Sequence, residues 1–307
     1  MSQVQAPDAV VMIRPHHFRS NPETRGDNAF QMPAEGQEVA DKARKEFDTA
    51  VTELRGAGVQ VHVFEDKSDN TPDSVFPNNW FSTHAGGHVA VYPMFASNRQ
   101  AERRMDVIEM LKRDYRVQDV IDFSGLEADG LALEGTGAMV LDHIERVAYT
   151  VESNRADPVI LERFCTHFGY EPLVFEARDK RGNRVYHTNV LMGIGTHYAL
   201  VCLDMIVDPT RRAMVRDRLE QSGRQVIDLT EAQIEAFAGN AIELTGKRRL
   251  LALSQTAADA LLPAQVRLIE ETAKLVPLSI PTIETAGGSV RCMLAGVHLT
   301  RRNPRIN

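Results

Sequence analysis

Three cysteines in 307 residues, at positions 165, 202 and 292 with no close pair, offer neither a disulfide framework nor a structural zinc site. Positive charge is also scarce. With 35 Lys and Arg against 42 Asp and Glu the formal net charge is −7, which gives no basic face for nucleic acid. No apolar run approaches the ~20 residues of a membrane helix. The opening Met-Ser-Gln-Val-Gln-Ala-Pro lacks the charged and then apolar pattern of a secretory leader. A cytoplasmic protein free of membrane is therefore expected. No Pro/Gly/Ser-rich linker interrupts the chain, so residues 1–307 are read as a single catalytic domain.

What is present is a hidden period. Five stretches each place small or polar residues at a short apolar strand: Pro77-Asn78-Asn79-Trp80-Phe81, Glu134-Gly135-Thr136-Gly137-Ala138, His187-Thr188-Asn189-Val190, Gly239-Asn240-Ala241-Ile242 and Arg291-Cys292-Met293-Leu294. Positions 79, 134, 187, 240 and 292 are separated by 55, 53, 53 and 52 residues. A turn and a second strand follow each stretch, the last at 297–300. A helical segment comes next in four cases (99–112, 158–168, 211–221 and 257–274), and then a further short strand. An apolar run at 9–13, a helix at 35–55 and a strand at 59–64 open the chain, and the last two complete the fifth unit if the two ends meet. Hairpin turns inside every unit disfavour an all-parallel sheet. Five ββαβ units in a ring are expected.

In such a ring one position of each unit faces the axis. Those positions carry Asn79 beside Asn78, Glu134, His187 with Asn189 two residues on, Asn240, and Cys292. A cysteine, a histidine and a carboxylate in phase are a nucleophile, an acid/base and the group that orients it. Cys165 and Cys202 are out of phase, in a helix and a second strand, and read as core. Cys292 is expected on a short apolar strand behind a Gly-Gly-Ser loop. Arg99 and Arg155 recur in phase as well, and an arginine fork suits a substrate carboxylate. Arg14 and Arg291 are weaker candidates, Arg291 as a neighbour that would favour the thiolate. The polar loop 14–30 is placed to act as a lid.

The fivefold ring with Glu-Gly, His-x-Asn and a terminal Gly-Gly-x-x-Arg-Cys resembles the guanidine-modifying superfamily, the pentein or five-bladed α/β-propeller fold with pseudo-fivefold symmetry. Arginine deiminases, dimethylarginine dimethylaminohydrolases and glycine amidinotransferases belong to it. The resemblance implies a covalent cysteine adduct with no metal and no cofactor. It makes Cys292 the nucleophile, His187 the acid/base and Glu134 its partner. In arginine deiminases two aspartates, from Phe-x-Arg-Asp and His-x-Asp motifs, grip the guanidinium cation. Here those places read Phe76-Pro77-Asn78-Asn79 and His187-Thr188-Asn189.

A buried cation without a carboxylate is unfavourable by several kcal/mol, whereas amides both donate and accept and suit a neutral ureido group. The sequence is in this respect similar to the citrulline hydrolase branch. The expected reaction splits citrulline into ornithine, ammonia and CO2, with Asn79, Asn189, Asn78, Arg99 and Arg155 holding this small amino-acid substrate. The alternative is a deiminase or dihydrolase of arginine or an N-substituted arginine. A non-catalytic binding protein, as in a ribosome-associated initiation factor of this fold, fits neither the catalytic set nor the acidic charge. Exposed ring edges make a homodimer a further expectation.

Overall fold

The computed structural model describes residues 4–302. Among these, five three-stranded sheets follow one another as blades. The first is built from Phe81–His84, His88–Val91 and Asp119–Asp122, the second from Met139–Asp142, Val147–Val151 and Glu171–Phe175. The third takes Met192–Ile194, Tyr198–Val201 and Gln225–Asp228, the fourth Ile242–Thr245, Arg249–Ser254 and Lys274–Leu278. In each, the inner and middle strands are antiparallel and the middle and outer strands parallel. A helix makes the parallel crossover, as such a connection requires. The architecture is the five-bladed α/β-propeller expected from the period.

Local chemistry sets the helices. Pro158–Phe168 and Pro209–Gln221 both begin with proline after an aspartate, and the Asp157 and Asp208 side chains accept from the first free amides. In Gln37–Gly56, Ala40, Ala43, Phe47, Ala50, Val51 and Leu54 form the buried stripe. Two expected helices are broken instead. The segment 257–274 splits into Gln255–Ala260 and Pro263–Glu270, because Pro263 holds Leu262 in extended backbone. The segment 99–112 splits into Ser97–Gln100 and Met105–Asp114. Arg99 and Glu102 are drawn into the site, while Val107, Ile108 and Leu111 pack on the sheet.

The fifth blade differs from expectation in its middle strand. Residues 297–300 form no strand. The middle place is taken by Ala9–Pro15, which pairs parallel with Gln60–Asp66 over seven residues and antiparallel with Ala295–Gly296. The run Ala9 to Ile13 is buried throughout, as suits a strand covered on both faces. Gln5, just before it, donates to Leu141 O and Ile194 O at 3.0 and 3.3 Å. That contact lies at the far ends of the inner strands. The residues singled out by phase lie at the other end, before those strands begin. No helix among the described residues is long and apolar enough to cross a membrane.

Candidate active site

The in-phase residues sit on helical turns that lead into the inner strands. Asn79 closes the turn Pro77–Asn79, and Glu134 and His187 flank Gly135–Ala138 and Thr188–Leu191 from the N-terminal side. Cys292 lies in Val290–Met293. The expected strand at Cys292 is thus a single helical turn, with the Cys292 amide donating to Ser289 O at 3.0 Å. The turn directs the thiol towards the axis, whereas alternation along a strand would send neighbours to opposite faces.

Glu134, fully buried, accepts from His187 Nε2 at 2.8 Å and from the Phe95 amide at 3.1 Å. Arg155 Nη1 and Arg99 Nη1 stand 3.4 and 3.8 Å from the same carboxylate. Burial alone would push this carboxyl up. Arg155, the hydrogen bond and charge of His187, and Arg99 outweigh it and hold the group far below the usual range. For His187 the balance runs the other way: burial lowers the imidazolium more than Glu134 raises it. The ring is therefore neutral at neutral pH, with Nδ1 as the nitrogen not held by Glu134.

Asn189 Nδ2 and Asn240 Nδ2 each donate to Cys292 Sγ at 3.2 Å. Asn240 also donates to Asn189 O at 3.1 Å and accepts from the Cys292 amide at 3.4 Å. Two amide donors are thus aimed at one sulfur. With its amide oxygen turned to Arg99, Asn79 accepts from Nη1 at 2.7 Å and donates to Asn78 Oδ1 at 3.1 Å. Arg99 is further held by Glu102 at 3.0 and 2.9 Å, and both residues are buried. Arg155 lies 4.8 Å from the Tyr186 ring centre, and Tyr186 Oη donates to Gly287 O at 2.7 Å.

Cys292, His187, Asn79, Arg99 and Arg155 line one cavity of about 20 Å³, room for about one water molecule. Loop 14–30 closes it: Thr24 and Asn28 form part of the wall, and Asn28 Nδ2 donates to Ala286 O at 3.3 Å. Three expected contributors stand elsewhere. Asn78 is buried behind Asn79 and does not line the cavity. Arg14 pairs with Asp48 and Glu65, and Arg291 Nη1 donates to Leu294 O at 3.1 Å.

Sequence reasoning missed Asp73, a buried carboxylate in the cavity wall. Its Oδ2 accepts from Asn21 at 2.8 Å and Thr24 at 3.3 Å, and lies 3.9 Å from Arg99 Nε. Its Oδ1 has no partner, and neither has Asn189 Oδ1. Burial pushes the Asp73 carboxyl up more than Arg99 and Asn21 pull it down. A carboxylate therefore does face the cavity, contrary to the expectation drawn from Asn79 and Asn189.

Gly137 shows how tightly the turns pack. A Cβ there would lie 2.8 Å from His187 Nδ1, and closer still to the Asn79 side chain. Gly137→Ala is expected to shift both. A displacement of about 1 Å in a reacting group is worth roughly a hundredfold in kcat. Steady-state rates beside thermal melting would show whether activity falls well beyond stability.

A thiol and a carboxylate-held imidazole thus share one cavity of a pentein fold. The sequence profile described as "N,N dimethylarginine dimethylhydrolase, eukaryotic" matches residues 14–299. The chain belongs to that family of hydrolases acting on guanidino compounds. Among solved structures it is similar to the substrate-bound N-terminal domain of ArgZ, a cysteine-to-serine variant of an arginine dihydrolase from the ornithine–ammonia cycle in Cyanobacteria. That pair has a TM-score of 0.73 and 15% identity over 94% of this chain and 98% of that one. AgrE in complex with L-arginine gives 0.76 and 17% over 96% of this chain and 41% of the other. A dimethylarginine dimethylaminohydrolase adduct with 4-chloro-2-hydroxymethylpyridine gives 0.65 and 12% over 97% and 100%. At these identities the likeness is one of fold. No curated protein matches the chain.

Proposed function

We propose that the chain hydrolyses the terminal carbon–nitrogen bond of an ω-ureido or ω-guanidino amino acid through a covalent adduct on Cys292. The observation that carries this is that Cys292 and His187, the latter held by Glu134, line one small cavity from separate blades. Neutral His187 takes the thiol proton, and the resulting imidazolium is stabilised by Glu134. The sulfur, held by Asn189 and Asn240, attacks the ω-carbon. His187 then protonates the leaving nitrogen and deprotonates the water that releases the adduct. Arg155 receives the distal carboxylate.

For the substrate, one reading is a ureido group, citrulline giving ornithine, ammonia and CO2, and it is supported by the asparagines alone. Asn79 and Asn189 present amides where the arginine deiminase pattern has aspartates, and Asn79 is bound to the cation Arg99. A second reading, arginine or an N-substituted arginine, is favoured by the free Oδ1 of Asp73, which calls for an N–H donor. The family match and the arginine complexes of similar structures support it too. Incubation with citrulline, arginine and N-methylated arginine separates the two. Ornithine from citrulline, with arginine untouched, is the expected result. Release of citrulline or ornithine from a guanidino substrate, with citrulline inert, would overturn the ureido reading and establish the second.

A further inference from the structure

Two arginines were expected to clamp a substrate carboxylate, and both forks are already filled by carboxylates of the chain itself. Glu102 fills that of Arg99 from three residues away on the same buried segment. Glu102 is itself buried and held at both oxygens by Arg99. The occupant of Arg155 is different in kind. Asp27 reaches it from loop 14–30, accepting at Oδ2 from Nε at 2.9 Å and at Oδ1 from Nη2. Asn154 Nδ2 adds a bond to Asp27 Oδ2 at 3.2 Å. Arg155 is almost wholly buried, while Asp27 retains about a quarter of its exposure. The carboxylate thus meets the guanidinium side-on through two parallel N–H bonds, the way a free carboxylate would. The cavity beneath holds about one water, so nothing of amino-acid size enters while the loop lies in this position.

We propose that Asp27 is a resident competitor for the substrate's carboxylate, one that must leave the Arg155 fork before an amino acid can bind. This rests on the reading that the substrate carries an α-carboxylate. Lifting the loop leaves the buried guanidinium with Glu134 alone, 3.4 Å from Nη1, and its Nε–Nη2 edge unpaired, an unfavourable state. Only a ligand with its own carboxylate restores the pair. The exchange therefore selects amino acids over their decarboxylated amines, and keeps the Cys292 thiol covered between turnovers. On the cavity side the loop is also held by Asn28 on Ala286 O, by Asn21 and Thr24 on Asp73, and by Asn21 and Glu23 on Asn98, contacts in which no more than one partner is charged. Asp27–Arg155 is the charged bidentate contact of the loop with the site.

Asp27→Asn and Asp27→Ala in the full chain test this in two ways. Alkylation of Cys292 by neutral iodoacetamide, followed by peptide mapping, reads the closed fraction without reference to any substrate. Both variants are expected to react at least fivefold faster than the wild type, with Cys165 and Cys202 unreactive in all three. In a Cys292→Ala background, calorimetry is expected to show ornithine binding about tenfold tighter once Asp27 is replaced. Unchanged alkylation would overturn the proposal. So would weaker ornithine binding, which would make Asp27 a direct contact of the ligand's ammonium group. Faster alkylation with no ornithine binding in any variant would instead overturn the amino-acid reading on which the proposal rests.

Discussion

Cys292→Ala is expected to fold normally and to lose turnover by a factor on the order of 10⁴ or more, because no other group offers a covalent route. Cys165 and Cys202 cannot substitute: both are buried, and burial pushes their thiols up to about 12 and about 11. The structural penalty is small, since one sulfur atom is removed beside two amides that can turn to each other or to water. Unfolding monitored by circular dichroism should place the variant near the wild type, while steady-state assays and adduct mass spectrometry should show neither turnover nor intermediate. Retained activity would remove the covalent mechanism.

The second large effect is expected at Glu134. This carboxylate faces His187 at 2.8 Å, Arg155 at 3.4 Å and Arg99 at 3.8 Å, all of them buried. Glu134→Gln keeps the shape and removes the charge. Two guanidinium groups then lose a shared counter-ion, and breaking a buried ion pair costs about 3–5 kcal/mol. His187 loses the group that stabilises its protonated form, so kcat is expected to fall by about 10²–10⁴. The pH dependence has a definite sign. Glu134 has its folded pKa depressed, so its stabilising contribution is present above the unfolded carboxylate value near 4.3. It is lost only as pH falls below that value towards the depressed one. Acid titration of the melting temperature should therefore be flatter below pH 4 in the variant than in the wild type. Equal slopes would mean that Glu134 is not the anchor of the network.

Much of this was legible in the sequence because repetition carries phase. Steps of 52 to 55 residues relate Glu134, His187 and Cys292, and the structure puts His187 and Cys292 on one cavity with Glu134 bonded behind His187. Phase also marked Asn240, but without a role, since an asparagine in a turn says nothing of the sulfur it will touch. What phase could not show lies off the period. Asp73 lies six residues before Asn79, and Asp27 comes from a loop with no periodicity, so neither shares an address with the others. Their places are decided by which buried arginine needs a counter-charge. The strand expected at Cys292 failed for a related reason: four apolar residues fit one helical turn as well as a strand. The middle strand of the fifth blade was misplaced because the alternating Val297-His298-Leu299-Thr300 reads as a strand as readily as the apolar run 9–13. Only closure of the ring chooses between them.

That choice bears on when the protein becomes an enzyme. Val10 pairs with Gly296 and Val11 with Ala295, so the last blade is a clasp between residues some 285 positions apart. The thiol lies three residues before the clasp. Four blades can pair their own strands locally, but Cys292 takes its place only when the tail finds the head, a contact of very high sequence separation and hence a slow one to form. Assembly of the ring and arming of the thiol are thus a single event. A chain caught before it would carry its histidine and glutamate already set and remain chemically silent.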